Sequence, residues 1–151
     1  IMLQPWANCH FDYERRNLIC DLTENKIHMI DYQDTRIGPI GIDIAGILID
    51  HYYPLNKKDI NEHIDFYKSH SVYRNQELDF FEIIRWGGIQ RNMRILGVLS
   101  RLYIEKNLDF RLKDIPMIFN NLIAIMPKDS PGYSFLTNTV KKKLNERIHN
   151  L

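Results

Sequence analysis

From Ile42 onward, apolar residues recur at helical spacing in one segment after another, whereas β-prone runs are confined to residues 1–40. That change of period predicts a mainly α chain with a small β-hairpin at its N-terminal end. The hairpin is read from Asn17-Leu18-Ile19-Cys20 and Lys26-Ile27-His28-Met29-Ile30, joined by the polar stretch Asp21 to Asn25. With the turn centred near Glu24, Asn17 is expected opposite Asp31, at the open end. Gly38-Pro39 closes this head, which divides the chain into a loop-and-hairpin segment (1–40) and a helical body (41–151).

In the body, Ile44, Ile47, Leu48 and Tyr52 predict a helix over Ile42 to Tyr53, stopped by Pro54. Ile60, His63, Ile64 and Tyr67 predict a second. Leu78 to Tyr103 predicts a long third, with Phe81, Ile84, Ile89, Met93, Leu96, Leu99 and Tyr103 on its stripe. Gly87-Gly88 interrupts it, which calls for a packing or ligand reason, or for a break. Asp114 is expected to cap a helix to Met126, with Pro116 in its first turn and Pro127 after its end. Ser130-Pro131 opens a last helix whose stripe is Leu136, Val140, Leu144 and Ile148, and Lys141-Lys142-Lys143 is expected on a solvated face. Trp6 and Trp86 read as core or interface anchors.

With 44% apolar and 26% charged residues among 151, the chain is neither disordered nor a disulfide-framed mini-protein. Lys plus Arg number 20 and Asp plus Glu 19, so net charge supplies no pull toward nucleic acid or an anionic membrane. No apolar run approaches a membrane span, the longest candidate being broken by Asp43 and Asp50, and no signal peptide is visible. Cys9 and Cys20 form no CxxC and fit a reducing cytoplasm. Cys9, His10, Cys20 and His28 match no common zinc spacing.

The chemistry-bearing stretch is His10-Phe11-Asp12-Tyr13-Glu14-Arg15-Arg16-Asn17, followed across the hairpin by Ile30-Asp31. The hairpin is expected to bring the Asn17 carboxamide and the Asp31 carboxylate to one place. A few hard oxygen donors with room for water and phosphate suit Mg²⁺. Asp12 lies on the preceding loop, where it can orient a hydroxyl and take its proton. An Asp, an Asn at this spacing and a later metal-binding Asp are the parts that kinase-type phosphoryl transfer uses.

Residues 9–18, Ile30-Asp31-Tyr32-Gln33-Asp34 and Gly38-Pro39-Ile40-Gly41-Ile42-Asp43-Ile44-Ala45 resemble the catalytic loop, metal loop and following helix of the aminoglycoside phosphotransferase/choline kinase-like superfamily. Residues 88–97, Gly-Ile-Gln-Arg-Asn-Met-Arg-Ile-Leu-Gly, are similar to its branch of N-acetylmuramate/N-acetylglucosamine anomeric kinases. The resemblance implies ATP and Mg²⁺ as cofactors and a small sugar as acceptor. It implies Asp12 as the catalytic carboxylate, Asn17 and Asp31 as metal and nucleotide ligands, and His10 and Asp43 as supports of the loop. Asp43 is expected to bind backbone N–H groups at 10–12. Asp34, Gln90, Arg91 and Arg94 are candidate substrate residues; for the last three the alternative is a solvated helix face. Phe11 departs from the family's usual Gly or Arg, and Glu14 from the branch's frequent His, which adds a negative charge beside the metal.

Kinases of this type carry an N-terminal lobe with a phosphate-covering loop and a strand lysine. Only eleven residues precede Asp12, and no Gly-rich loop occurs. The chain, which begins at Ile1, is therefore expected to be the C-terminal helical lobe of a protein-kinase-like fold, with the ATP-binding lobe absent. Alternatives are a non-catalytic truncated module that self-associates through a face meant for that lobe, and a phosphotransferase for an aminoglycoside or choline. The absence of an acidic cluster for a polycation counts against an aminoglycoside.

Overall fold

The computed structural model describes residues 4–148, with side chains through Glu146. It packs as two compact units, Ile1–Arg91 and Asn92–Leu151. The division foreseen at residue 40 thus falls inside the first unit. Ile40 and Ala45, on either side of that point, are buried in one apolar cluster with Leu48, Ile64, Phe80, Ile83 and Ile84.

Among the described residues, the first unit holds four short strands: β1 (Trp6–Cys9), β2 (Leu18–Asp21), β3 (Lys26–Met29) and β4 (Arg36–Pro39). They make two separate antiparallel pairs, β1 with β4 and β2 with β3, where one hairpin was expected. The extra pair sets Trp6 against Pro39 and Cys9 against Arg36. Gly38-Pro39 therefore belongs to a strand, at an edge where proline's missing donor costs no ladder bond.

The β2–β3 hairpin closes one residue earlier than foreseen. Leu18 faces Met29 and Asp21 faces Lys26, so Asn17 meets Ile30 rather than Asp31, and the Ile30 N–H donates to the Asn17 carbonyl at 3.0 Å. The turn decides this register. Asp21 Oδ1 accepts from the Thr23 and Glu24 N–H groups and the Thr23 hydroxyl, while Asn25 takes a left-handed φ of 50°. That local network closes a loop of residues 22–25.

Helix α1 (Gly41–Leu48) ends before Tyr52 and Pro54. Asp50 Oδ1 accepts from the Tyr52 N–H at 2.8 Å, an Asx-type bond that competes with helical continuation. Helix α2 (Lys57–His70) is capped by Asn56, whose side chain accepts from the Asp59 N–H. It buries Ile64 and leaves His63 exposed.

Helix α3 (Phe80–Lys106) runs unbroken through Gly87-Gly88. Packing explains Gly87: a Cβ there would run into the Gly41 carbonyl and the Ile42 nitrogen at the start of α1. Gly46 likewise admits the Tyr13 carbonyl of the loop before β2. Of the predicted stripe, Ile84, Ile89 and Leu99 are buried, whereas Phe81, Met93 and Tyr103 are exposed. Trp6 and Trp86 keep 53% and 38% of their surface open, so neither is a core anchor.

In the second unit, helix α4 (Ile115–Ile125) follows a 3-10 turn at Leu112–Asp114. Asp114 itself is helical and provides no side-chain cap; its carboxylate pairs with Arg111 Nε at 2.9 Å instead. Met126 is extended before Pro127, as a residue preceding proline prefers. Ser130 accepts from the Tyr133 N–H and opens α5 (Pro131–Phe135). A π-helical turn over Leu136–Val140 then leads into α6 (Lys141–Ile148). Leu136, Val140 and Leu144 line a groove with Met93, Phe119 and Leu122. The Ile148 side chain lies outside the described residues. The Lys141–Lys143 run is exposed. Among the described residues, no helix is long and apolar enough to cross a membrane.

Two tests follow from this packing. Gly87→Ala drives a methyl into backbone and is expected to cost about 1–3 kcal/mol in chemical denaturation. Gly97→Ala meets nothing within 4 Å in the same helix and should stabilise by about 0.5–1 kcal/mol. Cys9 is 2% exposed, and burial, seconded by the Asp43 carboxylate, pushes its thiol up. Cys20 is exposed. A disulfide-exchange reagent should therefore modify Cys20 rapidly and Cys9 only on unfolding.

Candidate active site

The loop between β1 and β2 carries His10 to Asn17 and is held from below by Asp43, in the first turn of α1. Asp43 Oδ2 accepts from the His10 N–H at 2.6 Å, and Oδ1 from the Phe11 N–H at 2.8 Å. Phe11 takes a left-handed φ of 67°, a conformation that glycine adopts freely and that costs another residue about 1–3 kcal/mol. Two compensations surround it. Its ring lies where a Cβ on residue 38 would be, so Gly38 makes room. The Arg36 guanidinium sits 3.9 Å over the ring centroid, a cation–π contact.

His10 is buried, and its Nε2 lies 2.9 Å from the Ile30 carbonyl. That bond puts the proton on Nε2 and leaves Nδ1 without a partner among the described residues. The Ile30 peptide is thus gripped from both ends, by Asn17 at its N–H and His10 at its carbonyl. The next residue, Asp31, leaves the hairpin with φ 62°. It is exposed, with Oδ1 accepting from Gln33 Nε2 at 2.6 Å.

Asn17 is buried at the end of a 3-10 turn (Arg15–Asn17). Its Nδ2 donates to the Asp12 carbonyl at 2.7 Å and lies 3.5 Å from Asp12 Oδ2. No donor among the described residues engages its Oδ1. A carboxamide oxygen held in this way, with the Asp31 carboxylate one residue beyond its partner Ile30 in the chain, is of the hard donor type that suits such a cation. No three His, Cys, Asp or Glu side chains among the described residues form a metal-binding group. A Mg²⁺ ion here would take Asn17 and Asp31 from the protein and complete its shell with phosphate and water.

Glu14 and Arg16 alternate with Asp12 along the same loop. Arg16 Nη2 donates to Asp12 Oδ2 at 3.0 Å, and its Nε lies 3.0 Å from Glu14 Oε2. Arg91 Nη2 donates to Glu14 Oε1 at 2.5 Å, with only 3% of the Arg91 side chain exposed. Burial pushes the Glu14 carboxyl up, against the pull of the Arg91 guanidinium, and the Asp12 carboxylate adds to the push. The extra negative charge expected from Glu14 is therefore paired with two arginines.

Arg91 is correspondingly not on a solvated face, nor open to a substrate. Gln90 is half-buried beside it, Arg94 is exposed in the second unit, and Asp34 is exposed in the turn before β4. Glu14 and Arg16 were not singled out as active-site residues from sequence. The signal available was the alternation of acid and base at 12, 14 and 16, but their partner at 91 is visible only in the fold. Below the hairpin, a largely apolar cleft of about 980 Å³ is lined by Leu18, Ile27, Met29, Ile44, Ile47 and Phe66.

Residues 2–74 match the model of the phosphotransferase enzyme family. The chain is 26% identical over 148 residues to an N-acetylmuramate/N-acetylglucosamine kinase of Neisseria meningitidis serogroup B, covering 93% of this chain and 44% of that protein. It is 25% identical over 124 residues to an N-acetylmuramate/N-acetylglucosamine kinase of Pseudomonas aeruginosa, covering 79% of this chain and 36% of that protein. The chain thus spans less than half the length of the curated relatives it matches. The His10–Asn17 loop and the Asp31 turn both lie inside the region that matches the phosphotransferase enzyme family, and the chain is similar over most of its length to two N-acetylmuramate/N-acetylglucosamine kinases.

Proposed function

We propose that this chain is the C-terminal, helical lobe of an ATP- and Mg²⁺-dependent phosphotransferase whose acceptor is an N-acetylated amino sugar, phosphorylated at its anomeric hydroxyl, in cytoplasmic recycling of cell-wall sugars. The observation that carries this is the Asn17 Nδ2 bond to the Asp12 carbonyl. It sets a carboxamide oxygen donor beside a carboxylate, one ladder position from Asp31. The relatives' names support the acceptor class.

In this mechanism Asp12 accepts a hydrogen bond from the sugar hydroxyl and holds it in line with the γ-phosphorus. The hydroxyl oxygen forms the new O–P bond as the bond to the β,γ-bridging oxygen breaks, its electron pair leaving with ADP. The hydroxyl proton passes to Asp12. Asn17 and Asp31 are the residues that would hold Mg²⁺, which when bound neutralises phosphate charge. Asp43 and His10 keep the loop from relaxing, which preserves the near-attack geometry. Asp34 and Gln90 are assigned to the sugar; Arg91 is left out because its guanidinium is committed to Glu14.

A second reading is favoured by the exposure of apolar side chains on and near the hairpin, Leu22 at 90%, Ile27 at 67% and Val72 at 83%. In it the chain by itself is a non-catalytic module that self-associates through this surface. Calorimetry of the chain with Mg-ATP separates the two: strong nucleotide binding contradicts the module. The kinase reading is tested by phosphate transfer from Mg-ATP in the full-length gene product, with N-acetylmuramate, N-acetylglucosamine, an aminoglycoside and choline as acceptors. Transfer to the amino sugars is expected. Asp12→Ala should lower kcat by about 10²–10⁴-fold with the fold intact, and Asp31→Ala should raise the Mg²⁺ concentration needed for half-maximal rate. Wild-type rates in Asp12→Ala overturn the assignment.

A further inference from the structure

We propose that Arg16 is a further catalytic residue, the cation that meets the transferring phosphoryl group beside Asp12, and that Glu14 and Arg91 are the positioning residues that carry it there. The proposal rests on the phosphotransferase reading above.

Three observations lead to it. First, Arg16 makes two ion pairs at a place where they do little for stability. Its guanidinium lies 3.0 Å from Asp12 Oδ2, yet 58% of the side chain is exposed. Exposed ion pairs contribute about 0–1 kcal/mol, and holding a long side chain costs entropy of similar size. Second, the arginine is tethered from behind. Its Nε meets Glu14 Oε2, and the other Glu14 oxygen is taken by Arg91. Arg91 is buried on α3, and its Nε lies near Gly46 of α1. A ladder of alternating charge therefore runs from the interior of the first unit to the reacting carboxylate: Arg91, Glu14, Arg16, Asp12. Third, the far end of that ladder is solvent-accessible, with 58% of the Arg16 and 33% of the Asp12 side chain exposed.

The chemistry needs a cation at that end. The phosphoryl group passing from ADP to a hydroxyl spreads negative charge over its equatorial oxygens, and a guanidinium there stabilises the transition state more than the ground state. The hydroxyl held by Asp12 lies one bond from the group being transferred, so Arg16 reaches it by a small swing about its Glu14 tether. Glu14 also keeps the guanidinium from collapsing fully onto Asp12, which preserves Asp12 as an acceptor for the hydroxyl. With the four charges balanced, the ladder adds no net negative charge beside ATP.

The competing role is a brake, in which Arg16 occupies Asp12 and keeps the hydroxyl away. Steady-state kinetics of the full-length gene product with Mg-ATP and N-acetylmuramate distinguish the two. Arg16→Ala is expected to fold normally and to lower kcat by about 10²–10³-fold, below the full effect of an arginine finger because solvent screens a half-exposed cation. KM for ATP should change by less than about threefold. Guanidinium ion added to the assay should restore part of the Arg16→Ala rate and none of the Asp12→Ala rate. Glu14→Gln, which keeps the shape but loosens the tether, should lower kcat and leave the guanidinium rescue absent, since Arg16 is still there. An unchanged or raised kcat in Arg16→Ala, or a loss confined to KM for ATP, overturns the proposal while an inactive Asp12→Ala leaves the phosphotransferase reading standing. No transfer by the wild-type protein removes both.

Discussion

One carboxylate organises the site. Asp43 accepts two backbone N–H groups from consecutive residues, His10 and Phe11. Each bond to an ionised acceptor contributes about 1.5–3 kcal/mol, enough together to offset the left-handed backbone at Phe11. Asp43 lies in the first turn of α1, where the helix dipole also favours an acid. The orientation of that helix therefore becomes the orientation of the loop. His10 passes the constraint on to Ile30, and Ile30 to Asn17, so that the elements bearing Asp12, Asn17 and Asp31 are tied to one helix end.

Close backbone approach makes this possible. α1 meets α3 at Gly41 and Gly87, and meets the loop at Gly46, where the Tyr13 carbonyl comes in. Any Cβ at those points would push the helix away from the loop and lengthen the Asp43 bonds. The glycines thus serve the site through distance. Phe11 shows the converse: a bulky residue stands at a left-handed position, and Gly38 and Arg36 adapt to its ring.

Much of the fold was legible locally. The change from short β-prone runs to helical spacing, the helix start at Ser130 and Pro127 ending α4 are all short-range effects. Errors arose where another short-range interaction competed. The Asp21 network moved the hairpin register by one residue, and the Asp50 bond to Tyr52 ended α1 early. The β1–β4 pair was missed because neither strand has an alternating pattern of its own; each is defined by the other across the intervening loop and hairpin.

The stretches 9–18, 30–34 and 38–45 carried the resemblance to the phosphotransferases and the candidate roles it implies, because their residues lie close together in sequence. Only the tertiary structure decided what Glu14, Arg16 and Arg91 do. Residues 14 and 91 are remote along the chain, and no local pattern pairs them. Burial makes their ion pair compulsory, since an isolated charge in that setting would be expensive. For the same reason an arginine that reads as surface-exposed or substrate-facing in the linear chain becomes an internal anchor once α3 is packed.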